Sequence, residues 1–427
     1  MERHTILTNY AEEMMAAIRL GQLDQAQAAF KKSLANDDDD LIYSLAEDLY
    51  AIGFVAESKE AYLHLAKKYP DEGDLKTALA ELAIEENDLD LAQDYLAQVP
   101  EDSPAYLQAL MVKADLYQSE GLMESAEHAL NQAYALAPEE PVVVFALAEF
   151  YFATGQYHQA IRQYRALLLQ GERRIAKVDV AARIGTAYAA IGNVDNAIAY
   201  LEQIKPIDLT IDTKFQLAFL YTEKKADDDA LPLFQDILEA DPQYTSVYPL
   251  LGQLYERIHN DAEAVKTYQL GLSYDQTNPI LYRLAGLLLF KLDELDQAKD
   301  YFQKALALDD QDLATYSALA DLNLAAHDYQ AVIDTITAAN DRDLVDPRFS
   351  WDLARAYHAL ENEDKARENW LIAAEDYPAD GDFWHDLADW YHEIGQRDNE
   401  RAALRKAVDL DPDNFELAER LADLELD

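Results

Sequence analysis

The stretch PVVVFALAEFYFATGQYHQAIRQYRALLLQ, from Pro141 to Gln170, carries the pattern that decides the fold. Ala160 and Tyr164 are four residues apart, which places both on one face of a helix. Ala148 provides a second small residue before Gly155, and a glycine suits the positive φ at which a helix ends. The stretch therefore predicts two antiparallel helices that approach closely where their small residues meet and pack against the tyrosine.

The same arrangement recurs along the chain with a period close to 34 residues. Except at Met14, a small residue occupies the position of Ala148 in every unit: Ala46, Ala80, Ala114, Gly185, Ala218, Gly252, Gly286, Ala320, Ala354 and Ala388. The position of Ala160 holds Ala26, Ser58, Ala92, Ala126, Ala197, Ala230, Ala264, Ala298, Val332, Ala366 and Glu400. The position of Tyr164 is always large and apolar: Phe30, Tyr62, Leu96, Leu130, Leu201, Phe234, Tyr268, Phe302, Ile336, Trp370 and Leu404. These positions predict about twelve stacked helix pairs with one repeated type of contact.

Glycine and proline punctuate the units where helices are expected to end. Glycines stand between the two helices of a unit at Gly21, Gly53, Gly121, Gly155, Gly192 and Gly395. Prolines close units at Pro70, Pro104, Pro138, Pro242, Pro378 and Pro412. No long stretch alternates as a strand does.

This pattern of small residues, Gly, Tyr, Ala, Phe and Pro over 34 residues resembles the tetratricopeptide repeat (TPR) family. Within that family the chain is similar to the acidic, cytosolic YpiA-type proteins of Gram-positive bacteria. The resemblance implies an all-α, right-handed superhelical solenoid of about twelve repeats over residues 7–412. A capping helix is expected over residues 413–427, and residues 1–427 are expected to form one continuous domain.

Two irregularities in the repeat are candidate bends. The spacing from Ala148 to Gly185 is 37 residues, and the extra length falls between Leu169 and Asp179, where Gly171, Arg173, Arg174 and Lys177 form a locally basic loop. A weak unit is followed by a polar, proline-containing stretch, residues 341–347, which is a candidate hinge.

The charge balance excludes several classes of protein. Lys and Arg number 35 against 82 Asp and Glu, so the net charge is −47, which disfavours binding to nucleic acid or to anionic lipid. The chain has no cysteine, and its apolar runs are far shorter than the ~20 residues that span a bilayer. We expect a soluble, cytoplasmic protein with no cofactor.

The family resemblance implies that the first helix of each unit lines an inner groove. The residues that fall there are Tyr43, Glu47, Tyr50, Glu81, Glu85, Met111, Asp115, Phe145, Glu149, Phe152, Phe215, Phe219, Arg283, Phe290, Trp351 and Arg355. Carboxylates and aromatic rings together suit a peptide or helix that carries basic and apolar residues. The alternative is that the carboxylates only solubilise the surface and the rings pack between helices.

Metal binding has two weak candidates. His385, Asp389 and His392 share one helical face and could bind a transition metal, although a polar groove wall is the favoured explanation. The aspartates at 37–40 lack the spaced ligands of a calcium loop and are expected to precede a helix, where negative charge is favourable.

No nucleotide-binding, zinc-protease or nucleophile motif is present, so we predict no enzymatic activity. The leading hypothesis is a scaffold that binds a protein or peptide in an acidic and aromatic groove. The alternatives are a receptor for a small signalling peptide and a metal-bearing assembly factor. Self-association into a homo-oligomer is a further expectation, because solenoid ends expose apolar faces unless they are capped.

Overall fold

A computed structural model of the chain describes residues 9–426 as a succession of antiparallel α-helix pairs. The described residues divide into two compact units, which we call unit one (to Leu209) and unit two (from Thr210). Each unit contains six helix pairs, so the predicted all-α repeat with about twelve members is confirmed. That the two units form one continuous domain stays a prediction.

In unit one, the pairs are α1 Tyr10–Arg19 with α2 Leu23–Asn36, α3 Asp39–Ala51 with α4 Val55–Lys68, α5 Gly73–Glu85 with α6 Leu89–Leu96, α7 Tyr106–Ser119 with α8 Met123–Leu136, α9 Pro141–Ala153 with α10 Tyr157–Gln170, and α11 Val180–Ala190 with α12 Val194–Leu201. A short 3₁₀ helix, Pro206–Asp208, follows α12.

In unit two, the pairs are α13 Ile211–Glu223 with α14 Asp227–Ala240, α15 Val247–Arg257 with α16 Asp261–Tyr274, α17 Pro279–Lys291 with α18 Leu295–Leu308, α19 Leu313–Ala325 with α20 Tyr329–Asn340, α21 Arg348–Ala359 with α22 Glu363–Asp376, and α23 Gly381–Glu393 with α24 Arg397–Leu410. A last helix, α25 Phe415–Leu426, packs on α24, as expected of a capping helix. No helix among residues 9–426 combines the length and the apolar character needed to cross a bilayer.

The core of each unit lies between the helices of a pair and between successive pairs. All of the small residues predicted at these contacts are buried, and so is every large apolar residue that follows. Gly252 shows why the residue must be small: a Cβ built on it would lie 2.1 Å from Cε1 of the fully buried Tyr268. Close packing at these contacts therefore explains the repeated small residues.

The turn between the two helices of a pair has one backbone conformation throughout the described pairs. Each predicted glycine adopts a positive φ there, from 70° at Gly21 to 85° at Gly53. In the other pairs a non-glycine residue takes the same conformation: Asn87, Lys225, His259, Asp293, His327 and Glu361. The antiparallel packing thus imposes a left-handed turn even where the sequence supplies a side chain.

The locally basic loop that holds the extra residues contains a short β-hairpin, which the sequence did not predict. Strand β1, Arg174–Ile175, pairs in antiparallel fashion with β2, Val178–Asp179. Between them Ala176 and Lys177 have φ values of 48° and 69°, as in a two-residue hairpin turn with both φ values positive. The strands are too short to show an alternating pattern, which is why the sequence does not reveal them.

The aspartates at 37–40 lie at the start of a helix, as predicted: Asp37 and Asp38 cap helices, and Asp39 and Asp40 stand in the first turn of α3. Oδ1 of Asp38 accepts a hydrogen bond from the Leu41 amide at the start of α3. Oδ2 of Asp37 accepts one from the Ala11 amide at the start of α1. These carboxylates thus satisfy amides that a helix leaves unpaired at its N-terminus.

Candidate functional site

The predicted groove residues lie on the first helices of the pairs, and we call the surface formed by these helices in each unit its first-helix surface. In unit one these residues are Tyr43, Glu47 and Tyr50 on α3, Glu81 and Glu85 on α5, Met111 and Asp115 on α7, and Phe145, Glu149 and Phe152 on α9. In unit two they are Phe215 and Phe219 on α13, Arg283 and Phe290 on α17, and Trp351 and Arg355 on α21.

Four carboxylates on α3, α5 and α7 form what we call the acidic cluster: Glu47, Glu81, Glu85 and Asp115. In the described part of the chain, none of them forms an ion pair with a lysine, arginine or histidine. The side-chain amide of Gln108 donates a hydrogen bond to Oε1 of Glu81 at 2.9 Å. The cluster therefore carries negative charge that the protein itself does not neutralise.

The surroundings of Asp115 and Glu81, two members of the acidic cluster, disfavour the ionised form of each carboxylate. Asp115 reaches solvent on one side, but the protein around it partly desolvates the carboxylate, and desolvation followed by repulsion from Glu81 raises its pKa to about 6. Desolvation also raises the pKa of Glu81, an effect that the hydrogen bond from Gln108 opposes. A cation brought to this surface would favour the ionised form of both carboxylates.

Two tyrosines border the acidic cluster. The ring of Tyr43 packs edge-on against Tyr62, with 5.6 Å between centroids, and Tyr50 is 37% exposed. The pKa values of both tyrosines are raised, chiefly by desolvation and next by Glu47 for Tyr43 and by Glu85 for Tyr50. Tyrosine rings and carboxylates are therefore neighbours on this surface.

Two further predicted residues of unit one support the core. Met111 is half-buried and packs against the buried residues around Ala133 and Val143. Phe145 is also half-buried, and its ring centroid lies 6.3 Å from that of Tyr164. For these two residues the structure shows the packing role that the sequence left open as an alternative.

Glu149 and Phe152 are engaged by Arg183 of α11. The guanidinium binds the carboxylate of Glu149 through two hydrogen bonds of 2.9 Å and lies 5.0 Å from the ring centroid of Phe152. The hydroxyl of Tyr164 donates a further hydrogen bond to Glu149. This carboxylate therefore already has a cationic partner and an aromatic neighbour, in contrast to the acidic cluster.

Arg183 is not among the residues that the sequence predicts for the site. Arg183 follows Glu149 by 34 residues, but the small residues Ala148 and Gly185 are 37 apart. When the repeats are aligned on these small residues, Glu149 and Arg183 therefore do not occupy equivalent positions. The hairpin insertion accounts for the shift. A search for residues one period apart across the insertion would have found the pair.

The aromatic residues on α13 differ in exposure. Phe215 packs against Tyr244 and Phe234, with centroid distances of 5.3 and 6.3 Å. Phe219 is 40% exposed. Of this predicted pair, Phe219 presents the larger surface to a ligand.

The remaining predicted residues of unit two are held in contacts within that unit. Arg283 forms an ion pair with Asp312 at 2.9 Å, and Phe290 is half-buried. The indole N–H of Trp351 donates a hydrogen bond of 3.1 Å to Asp386, whose carboxylate also lies 3.7 Å from Nε of Arg355. Unlike the acidic cluster, the charges here are largely neutralised by neighbours.

The metal candidate on α23 is not assembled. Among the described residues, no group of three His, Asp or Glu is arranged to hold a metal ion. Asp389 is bound by Arg420 and lies 3.6 Å from Nε2 of His385, whereas Nδ1 of His392 lies 3.0 Å from Glu400. The shared helical face was therefore misleading, because Arg420 and Glu400 engage two of the three side chains.

Family models and a curated relative match this chain. The model for YpiA-like tetratricopeptide repeats matches residues 118–172, and that for the YpiA-like C-terminal repeats matches residues 347–414. A general tetratricopeptide repeat model matches residues 178–205 and 279–312. The chain is 30% identical over 416 residues to "TPR repeat-containing protein YpiA" of Bacillus subtilis (strain 168), a match that covers 97% of this chain and 98% of that protein.

Solved structures also resemble the chain in fold. The APC/C hetero-tetramer Cut9-Hcn1 matches with a TM-score of 0.42 and 12% identity, over 97% of this chain and 96% of that one. YrrB, described as a TPR protein with an unusual peptide-binding site, matches with a TM-score of 0.39 and 16% identity, over 45% of this chain and 98% of its own. Both are likenesses of helical repeat architecture.

Proposed function

From the premise that this chain belongs to the family of YpiA-like tetratricopeptide repeat proteins, we propose that it is a non-enzymatic scaffold for protein–protein interaction. Its ligand is a protein or peptide segment with basic and apolar residues. The binding site is the first-helix surface of unit one, at the acidic cluster and the two tyrosines beside it.

The observation that carries this proposal is the unpaired negative charge of the acidic cluster. Glu149 on α9 has Arg183 as a cationic neighbour, and Asp312, which precedes α19, has Arg283, whereas the four carboxylates of the cluster have no such neighbour among the described residues. A lysine or arginine of a ligand would supply the missing charge to Glu81 and Asp115 and could rest on the ring of Tyr50. Each exposed ion pair is worth ~0.2–1 kcal/mol and each cation–π contact ~0.5–2 kcal/mol, so several are needed together.

Binding of this kind depends on pH. The pKa of Asp115 is raised to about 6, so part of the cluster is protonated in mildly acidic solution. A cation binds the ionised form, so the affinity for a basic segment rises as the pH passes upward through that value and a proton is released on binding.

The test is fluorescence anisotropy of the full chain with a short labelled peptide that alternates Lys with Leu and Phe. One variant carries Glu47→Gln, Glu81→Gln, Glu85→Gln and Asp115→Asn. The matched control removes four exposed carboxylates from second helices of the same unit, by Glu60→Gln, Asp90→Asn, Asp94→Asn and Glu124→Gln. Both variants change the net charge by the same amount.

We expect the cluster variant to bind about tenfold more weakly or worse, because several pairs are lost together, and the control to stay within about twofold. Equal losses in both variants would mean that overall charge, not the cluster, attracts the peptide. Unchanged binding by the cluster variant would place the site elsewhere. Either outcome rejects the assigned surface.

A further inference from the structure

A second charged surface of unit one has the opposite sign. Arg162, Arg165 and Leu169 stand at positions i, i+3 and i+7 on α10, so they share one helical face, and all three are exposed. The hairpin that follows adds exposed Arg173, Arg174 and Lys177. We call these six residues the basic surface.

The cations of the basic surface are free of carboxylate partners. Within the described residues, no ion pair or side-chain hydrogen bond involves any of its arginines or its lysine. Elsewhere the described arginines mostly have carboxylate partners, as Arg257 has Asp227 and Arg342 has Asp310. In a chain with 82 Asp and Glu, five exposed cations without carboxylate partners within residues 162–177 are a distinct feature of the surface.

The backbone holds this surface in a defined shape. Gly171, with a φ of 94°, ends α10, and the hairpin then pairs Arg174 with Asp179 and Ile175 with Val178. Ile175 is half-buried and packs against the core of unit one, whereas Arg174 and Lys177 are exposed. The alternation of a strand thus anchors the hairpin and presents its charges outward, which lowers the entropy lost when a ligand binds.

Leu169 adds an apolar contact among the charges. Its side chain is 90% exposed, although it lies on the same helical face as Arg162 and Arg165. A surface with guanidinium groups around an exposed leucine suits a ligand with carboxylates around an apolar side chain. Arginine binds a carboxylate through two parallel hydrogen bonds, and this geometry gives such contacts specificity.

The geometry points to the basic surface as a docking site for an acidic polypeptide segment, with Asp or Glu on either side of a Leu or Phe that covers Leu169. A nucleic acid is the less favourable occupant. A long polyanion extends beyond the patch and meets the repulsion of a chain with net charge −47, whereas a short segment interacts within about one Debye length, ~8 Å at physiological salt. This site is independent of the acidic cluster, which takes a ligand of opposite charge.

The test uses the full chain and a short labelled peptide that alternates Glu with Leu, followed by fluorescence anisotropy at about 50 mM and about 200 mM salt. The first variant carries Arg162→Gln, Arg165→Gln, Arg173→Gln and Arg174→Gln. The matched control removes four other exposed cations of unit one, by Arg19→Gln, Lys31→Gln, Lys67→Gln and Lys205→Gln. Circular dichroism checks that both variants stay helical.

We expect the wild type to bind more weakly at the higher salt, the first variant to bind about tenfold more weakly than the wild type, and the control to stay within about twofold. Leu169→Ser should weaken binding a few-fold without a change in thermal stability, since the side chain is 90% exposed. The acidic-cluster variant should bind the acidic peptide at least as well as the wild type, which separates a failure here from a failure of the proposed function.

Three results would overturn the inference. One is the absence of peptide binding by the wild type at the lower salt. Another is an equal loss in the first variant and the control. The third is tighter binding of a short labelled single-stranded DNA than of the peptide, which would replace a polypeptide by a nucleic acid as the ligand.

Discussion

At the scale of single residues, the left-handed turn within each helix pair shows a conformation that packing imposes on unfavourable side chains. His259 has a φ of 59° in the position where other pairs have glycine. We expect His259→Gly to raise the free energy of unfolding by about 0.5–1 kcal/mol, because the left-handed conformation costs an L-residue ~1–2 kcal/mol and the freedom of glycine in the unfolded chain removes part of the gain.

Urea denaturation measures this effect. The matched control is His259→Ala, which removes the same ring but keeps a Cβ and should give no gain. An equal gain from Ala would show that the ring, not the backbone, is strained.

Asp352 is a residue whose effect on the free energy of unfolding follows from its burial. It is 2% exposed, its closest cationic atom is Nε of Arg348 at 3.7 Å, and desolvation raises its pKa to about 7. A carboxyl group whose pKa rises on folding contributes stability at low pH that is lost as the pH rises toward the folded pKa. Here that loss falls between about pH 4 and about pH 7.

We therefore expect Asp352→Asn to match the wild type near pH 4 and to become more stable than it as the pH approaches about 8, by at most ~4 kcal/mol. Thermal denaturation of both proteins across this range gives the difference. Asp364→Asn, at an exposed aspartate on α22, should show no such trend. If both variants gained stability in the same way as the pH rises, the burial of Asp352 would not be the cause of that gain.

At the scale of helices, the contact between the two members of a pair sets which residues are tolerated. Gly252 lies within α15, where helix propensity alone predicts a gain of ~1 kcal/mol for Gly→Ala. Because a Cβ would lie 2.1 Å from Tyr268, we expect Gly252→Ala instead to lower stability by ~1–3 kcal/mol.

Gly381 provides the control. It is also helical, but a Cβ on it would lie 3.7 Å from Cβ of Leu410, an ordinary contact. Gly381→Ala should be neutral or stabilising in the same urea denaturation experiment. A gain in both variants would show that the pair can relax around the added methyl group.

The capping helix α25 is tied to the last pair by a buried charge. Glu400 stands where most units have alanine and is 1% exposed, and Nη2 of Arg420 donates a hydrogen bond of 2.8 Å to it. We expect Arg420→Ala to cost a few kcal/mol, toward the lower end of the ~3–5 kcal/mol for a broken buried pair because Arg420 is partly exposed.

A double variant separates this cause from loss of packing. Glu400→Ala with Arg420→Ala restores the alanine found in other units and removes the unpaired charge, so it should be more stable than Arg420→Ala alone in thermal denaturation. If the double variant were the less stable of the two, the contribution of Arg420 would be packing rather than neutralisation.

The structure confirms the helices predicted from the sequence. It differs from the prediction at residues 174–179, where extra residues lengthen one repeat. The small residues and turn glycines predict the pairs, since each marks a contact that recurs in every repeat. The hairpin at 174–179 was not predicted because two-residue strands have too few side chains to form a pattern. Its insertion also hid the pairing of Glu149 with Arg183, and so the sequence overestimated how much of α9 is free for a ligand.

At the scale of the whole molecule, the net charge of −47 sets the response to salt. Repulsion among surface carboxylates opposes the folded state, and the Debye length falls from about 30 Å at 0.01 M to about 3 Å at 1 M salt. We expect the melting temperature to rise over this range in sodium chloride.

Tetramethylammonium chloride is the control, because it screens charge in the same way without binding carboxylates as sodium does. Equal rises in both salts support screening as the cause. A fall in melting temperature would mean that the surface ion pairs stabilise the protein more than the repulsion destabilises it.

The sequence by itself determined the repeat, the helix pairs, their buried contacts and the acidic character, because these depend on local spacing and composition. Only the tertiary structure decided which charges are free. Whether a carboxylate or guanidinium has a partner depends on side chains about one repeat away: Arg183 neutralises Glu149, Arg420 engages Asp389, and the acidic cluster and the basic surface are left without such partners. Distances between side chains set the strength of these interactions, and spacing along the chain does not reveal those distances.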